Sequence, residues 1–210
     1  MIVDTLTVLD LLRERGIRVA RSRYVTSAKE AVAFAARGPI ALRLVPPAYG
    51  ADVSLALTDL TSAQMVRRAY ERIAAQAQKL AGGQILAQRM VECGTDIGIR
   101  CRADAALGRI VEVRSGAHRV VGAAPVDLHQ AQAVLANVFD KAQVALEPAA
   151  LRALALVMVR VCAIFVNTAS ARLTLDPVRL HRDSYAVIDA KLEMPRAGVS
   201  YRRSPRFGFA

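Results

Sequence analysis

The stretch that most constrains this chain runs from Arg172 to Glu193. Leu173, Leu175 and Val178 are apolar, and Asp176-Pro177 is expected to end a first strand, because proline has no N–H to give a ladder. His181 to Ser184 read as a polar turn. Tyr185 to Leu192 read as a second strand rich in β-formers, with Asp189 inside it. A hairpin of this kind carries one carboxylate on each strand. Two such groups brought together repel, and a divalent cation relieves the repulsion; Mg²⁺ takes one or two protein carboxylates plus substrate phosphates. Pattern alone favours a plainer reading, an Asp-Pro turn and a solvent-facing aspartate.

The chain before this hairpin alternates helix and strand. Thr5 or Thr7 can cap a helix running to about Arg15, which Gly16 stops, and Ile17 to Tyr24 form a short strand. Thr26-Ser27 cap a second helix, with Glu30 three residues after Ser27 at the capping-box spacing. Ile40 to Val45 form a buried strand that holds one charge, Arg43. A charge in an apolar strand needs an anionic partner, either a core carboxylate or a phosphate. Thr61-Ser62 cap a long helix to Leu80, with Met65, Ala69, Ile73 and Leu80 on its apolar side. Strands follow over Ile85 to Val91, Ile97 to Arg102, Gly108 to Val113 and Arg119 to Ala123. Two helices, about Asp127 to Asp140 and Pro148 to Thr168, lead into the last hairpin. The residues after Met194 are rich in arginine, proline and glycine and read as an extended tail, either solvated or docked on a partner.

Composition excludes several classes. The chain has 210 residues, 54% of them hydrophobic, enough for one substantial core or two small lobes. No secretory leader opens it, and its longest apolar run, Ala153 to Val166, is broken by Arg160 and reads as a buried helix, so no membrane association is expected. Three unpaired-looking cysteines, Cys93, Cys101 and Cys162, argue against a disulfide framework and leave the cytoplasm as the default. The net charge of +11 would fit nucleic acid, an acidic protein partner or a polyanionic ligand, and the plainer reading is an ordinary solvated basic surface. Aromatics at 5% and no tryptophan argue against a nucleic-acid binder built on stacking. There is no Walker A loop, nucleophile elbow or zinc-protease motif, and the three histidines stand far apart.

Several segments together resemble the ATP-grasp domain of nucleoside-diphosphate-forming acyl-CoA synthetases, including the β subunit of succinyl-CoA synthetase. Leu11-Leu12 through Val19, Ser27 through Val32 and Gly38 through Val45 resemble the family's opening. Gln84 to Val91 resembles the strand beside adenine, Gly94-Thr95-Asp96 the family's Gly-Val-Glu, and Asp176-Pro177 with Ile188-Asp189-Ala190-Lys191 its closing hairpin. The resemblance covers about residues 5 to 193. It implies an α+β ATP-grasp fold: two α/β lobes with a cleft between them, an N-terminal lobe over 1–82, a C-terminal lobe with the metal hairpin over 83–194, and a basic tail over 195–210.

The same resemblance implies ATP or ADP with Mg²⁺ as cofactor. It implies Arg43, Gln88, Met90 and Asp96 as nucleotide contacts, and Asp176 and Asp189 as metal ligands. The partner it implies is a CoA-binding α-type subunit, or a homo-oligomer. The departures point the other way. Arg43 replaces the family's lysine, Asp176 its asparagine, Arg172 its glutamate and Thr174 its middle aspartate. The segment around Asp52-Val53 lacks the family's glycine pair, and Arg114 to His118 stand where it has a Gly-Leu-Gly-Gly loop. The expectation is therefore a divergent acyl-CoA ligase β-like chain, weakened or lost in catalysis. The alternative is a non-catalytic structural or regulatory partner; a basic nucleic-acid binder stands third.

Overall fold

The fold is organised by two antiparallel sheets, seen in a computed structural model that describes residues 2–45, 55–80, 83–181 and 184–195. The chain falls into two compact units, Val19–Glu92 and, from both ends, Met1–Arg18 with Cys93–Ala210.

In the unit Val19–Glu92, the strands are β1 (Ser22–Tyr24), β2 (Ile40–Val45), β3 (Ala56–Leu60) and β4 (Gln84–Arg89), and the helices are α2 (Ala28–Ala35) and α3 (Ala63–Lys79). The sheet order is β1-β4-β2-β3. Strand β2 alternates strictly: Ile40, Leu42 and Leu44 are buried and Ala41, Arg43 and Val45 half-buried, as one covered face demands. The covered face packs Ile40, Leu42, Leu44, Ile85 and Ala87 against Ala31 and Phe34 of α2 and Val66, Ala69 and Ile73 of α3. Val66 fills the place expected for Met65, which lies 44% exposed. Ser62 caps α3 and Ser27 caps α2, each side chain accepting from the N–H three residues on at 3.2 Å. The Glu30 carboxylate reaches back to the Thr26 N–H, one residue before the cap.

The other unit opens with α1 (Thr5–Glu14), capped by Asp4 rather than by either threonine; its carboxylate accepts from Thr7 N–H at 3.0 Å. Strands β5 (Thr95–Asp104), β6 (Gly108–Ser115) and β7 (His118–Ala123) form a meander, followed by α4 (Leu128–Lys141) and α5 (Pro148–Asn167). The last strands are β8 (Arg172–His181), β9 (Ser184–Val187) and β10 (Ala190–Glu193). The order is β10-β8-β5-β6-β7, with β9 also on β8. Helix α5 is long and apolar enough to cross a membrane by length and composition. It is nevertheless core: Leu154, Val157, Met158, Val161, Ile164 and Phe165 are at most 2% exposed. Its Arg160 donates to the Gly16 carbonyl at 2.7 Å. Cys101 of β5 and Cys162 of α5 are buried thiols with sulfurs 3.8 Å apart.

The division expected at 82/83 differs from these units. Strand β4 pairs with β1 and β2, so it belongs with the residues before it. The α1 segment belongs with the C-terminal part, where Val3 N–H donates to the Leu192 carbonyl. Gly82, the segment around Asp52-Val53 and the tail from Arg196 onward lie outside the described residues.

Candidate functional site

The last hairpin departs from expectation in an informative way. Strand β8 does not end at Asp176-Pro177; it continues to His181, paired with β5 along its length. Ile97 pairs with Val178 and Ile99 with Leu175, so Asp176 and Pro177 together oppose the single residue Gly98. That is a β-bulge, a place where proline's missing N–H costs no ladder bond. The hydrophobic alternation slips with it: Leu173 and Leu175 point inward before the bulge, Val178 and Leu180 after it. The opposite strand breaks at the same level into β9 and β10, and Ile188 and Asp189 lie in the break rather than inside a strand. Two main-chain bonds close the gap, Asp176 N–H to the Asp189 carbonyl at 3.1 Å and Ile188 N–H to the Pro177 carbonyl at 2.9 Å. The two aspartates are thus neighbours across the bulge. Asp189 Oδ1 accepts from Ala190 N–H at 2.9 Å.

The sheet face that carries Asp176 is the one away from α4 and α5, and it is a lattice of ion pairs. Arg114 of β6 places Nη2 2.9 Å from Asp176 Oδ2. Asp96, at the start of β5, is gripped by both arms of Arg179, Nε to Oδ1 at 2.8 Å and Nη2 to Oδ2 at 2.9 Å. Asp96, above all, holds the Arg179 guanidinium above its ordinary value, against the opposing pull of burial. Glu112, only 9% exposed in its side chain, lies between Arg100 at 3.8 Å and Arg119 at 3.7 Å. Arg172, where the resembled family has a glutamate, pairs with Glu193 at 3.2 Å.

These contacts test whether Asp176 and Asp189 fit Mg²⁺. An ion bound there needs oxygens of Asp176, and a guanidinium already holds one of them. Arg172 and Thr174 remove two further acids from the pattern. The residues present do not fit the ion.

In the other unit, Arg43 and Gln88 lie on the face of the four-stranded sheet opposite α2 and α3. Ala41 is the cross-strand partner of Gln88, and Arg43 that of Leu86. Gln88 is 6% exposed and its amide donates to Ser22 Oγ at 2.9 Å. Met90 N–H donates to the Pro39 carbonyl at 3.1 Å. The six expected residues therefore fall into two sets, Arg43, Gln88 and Met90 in one unit and Asp96, Asp176 and Asp189 in the other. The residues that reading the sequence missed are Arg114, Arg179 and Gly98. The phase slip between Leu175 and Val178 was the signal for the bulge that brings Gly98 and Arg114 to Asp176.

Comparison with known proteins places these features. A family model described as the ATP-grasp domain matches residues 1–194. No curated protein matches the chain. Among solved structures, a dinucleotide forming acetyl-coenzyme A synthetase 1 from Ca. Korarchaeum cryptofilum, in complex with coenzyme A and Ca-AMPCP, is similar with a TM-score of 0.81 and 22% identity, over 92% of this chain and 93% of that one. The same enzyme with coenzyme A and Mg-AMPPCP, its phosphohistidine segment pointing towards the nucleotide binding site, gives 0.75 and 23% over 92% and 93%. PH1788 from Pyrococcus horikoshii Ot3 gives 0.80 and 16% over 92% of each chain.

Proposed function

This chain belongs to the ATP-grasp domain family, and we propose that it is a divergent relative of the β subunit of ADP-forming acyl-CoA synthetases that binds a nucleotide while its phosphoryl-transfer chemistry is weakened or lost. The fold resembles that of the acetyl-CoA synthetase, at an identity that speaks for architecture alone. The carrying observation is that Asp176 and Asp96 are already ion-paired within their own sheet. Phosphoryl transfer depends on positioned phosphates and on cations that neutralise developing charge. Carboxylates already paired with arginines supply that arrangement poorly. The arginines themselves, and Arg43 on the smaller sheet, suit the phosphates of ATP or ADP, since a guanidinium forks onto phosphate oxygens. A CoA-binding α-type chain is the partner this reading calls for, by analogy with the coenzyme A held in the similar structures.

The same ion pairs favour a second reading, a non-catalytic structural or regulatory partner. Calorimetric and thermal-shift titration with ADP and ATP separates the two. Binding lost in Arg43→Ala, with no nucleotide turnover, is the expected result; ligand at about 100 times its Kd stabilises by about 2.7 kcal/mol. No binding at millimolar nucleotide would sink the nucleotide reading and leave the structural one.

A further inference from the structure

Asp176 is fixed from three directions. Its N–H is spent on Asp189, its Oδ2 meets Arg114, and beneath it lies Gly98. Arg114 is the register partner of Gly98, and Asp176 lies beyond Gly98 on the next strand. The Arg114 and Asp176 side chains therefore together span two strand spacings, about 9–10 Å, over the one residue between them that has no side chain. A Cβ at position 98 would stand 3.2 Å from Asp176 Oδ2 and 3.3 Å from its Cγ. Arg114 is also the first residue of the short segment that stands where the resembled family has a glycine-rich loop.

We infer that Arg114 is a resident cation that takes the place of a divalent metal ion on Asp176, so that this site recognises a free polyphosphate anion rather than a metal–nucleotide complex. A guanidinium keeps its charge at every physiological pH. A divalent ion coordinated at 2.0–2.1 Å by Asp176 would sit within a few ångströms of that charge and be repelled by it. Arg114 is 54% exposed, with donors to spare beyond Asp176. It lies among Arg100 and Arg119, half-exposed or more, which flank Glu112. The guanidinium groups of Arg100, Arg114 and Arg119 have N–H donors beyond those given to Glu112 and Asp176, and these can meet the oxygens of an anion. The ligand half of this inference rests on the nucleotide reading above; the metal half does not.

The test uses the full chain and metal alone. Mn²⁺ is titrated by the loss of its free-ion electron paramagnetic resonance signal. The wild type is expected to give a curve that Asp176→Asn leaves unchanged. Arg114→Met is expected to bind Mn²⁺ at least about tenfold tighter than wild type, an effect that Asp176→Asn in the same chain removes. Arg114→Gln repeats the arm should the methionine variant fold poorly by circular dichroism. Wild-type Mn²⁺ binding abolished by Asp176→Asn, or no gain in either Arg114 variant, would overturn the resident cation. Calorimetry with ADP in EDTA and in Mg²⁺ tests the ligand half: equal affinity is expected, and binding that requires Mg²⁺ would overturn it. No ADP binding in either buffer would overturn the ligand half together with the nucleotide reading, while the Mn²⁺ titrations still decide on Arg114.

Discussion

Arg114 and Arg179 of the six-stranded sheet and Arg89 of the four-stranded sheet are held in opposite ways. On the six-stranded sheet, guanidinium meets carboxylate: Arg179 with Asp96, Arg114 with Asp176, Arg100 and Arg119 with Glu112. On the four-stranded sheet, Arg89 meets main chain. Its fork donates to the carbonyls of Gly38 and, at 2.6 Å, of Phe34, and its guanidinium stacks 5.1 Å from the Phe34 ring. Burial lowers its ordinary value first, and nearby Arg21 and Arg37 lower it further, whereas Asp96 raises that of Arg179. Arg89 therefore ties the end of α2 to β4, an architectural bond. The pairs of the larger sheet lie mostly exposed and hold little stability; what they set is the electrostatic pattern of a face.

The sharpest way to break this comparison is at the backbone beneath it. A Cβ on Gly94 would lie 1.7 Å from the Leu180 carbonyl oxygen and 2.7 Å from its carbon, main-chain atoms that cannot move without parting β5 from β8. Gly94→Ala is expected to cost on the order of 4 kcal/mol in urea unfolding, or to prevent folding. Gly116→Ala, at a φ of +56° in open space, should cost only about 1 kcal/mol. Next in size comes Arg89→Ala. Losing two bonds from a charged donor and the stacking should cost about 2–3 kcal/mol by the same measurement. Arg89→Lys should recover only part, because an ammonium cannot fork onto both carbonyls. A cost near zero for Arg89→Ala would erase the distinction between the sheets.

The sequence carried the fold further than the site. The apolar run Ile40 to Val45 marked β2 with the bounds the structure gives it, and Thr26-Ser27 and Thr61-Ser62 announced their helices, because apolar runs and caps are local properties. Proline was read by its usual effect, ending a strand, and here it sits in a bulge; the decisive clue was non-local, the pairing of two residues with Gly98. Arg114 and Asp176 stand far apart in the chain, so nothing in local spacing could announce their ion pair. Met65 lost the core position to Val66 for a smaller reason, a one-residue error in helical phase. The compact units divide elsewhere than at Gly82 because β4 returns to pair with β1 and β2.

Two weaker effects sharpen the picture. Asp127 caps α4 in a reciprocal pair with Gln130, at 2.8 and 3.1 Å, so Asp127→Ala should cost about 1 kcal/mol. Arg179→Ala, which breaks the bidentate pair with a half-exposed Asp96, should cost at most about 1 kcal/mol at low salt and less at 1 M, where charges are screened over about 3 Å. A larger, salt-independent loss would make that pair part of the core.

The smallest effect, acid sensitivity, takes one group from each sheet's unit. Arg102 chiefly, then the N–H groups of Leu107 and Ala106, hold Asp104 below its ordinary carboxyl value. Glu30 is held down first by the Thr26 N–H, then by the Thr26 hydroxyl and Arg23, against burial. In both, the folded state binds the proton less tightly than the unfolded chain does. Their stabilisation is therefore present above the unfolded values, about 3.9 for Asp and 4.3 for Glu, and is lost as pH falls through the folded values. Urea unfolding as a function of pH should show a shallower acid slope in Asp104→Asn and in Glu30→Gln than in wild type. The two should differ in salt. Asp104 leans most on a guanidinium, so screening should erase more of its share; Glu30 leans most on a neutral N–H, so its share should persist at 1 M. Equal salt dependence would mean that carboxylates in the two units are held by the same kind of interaction, and the contrast between the sheets would be confined to their arginines.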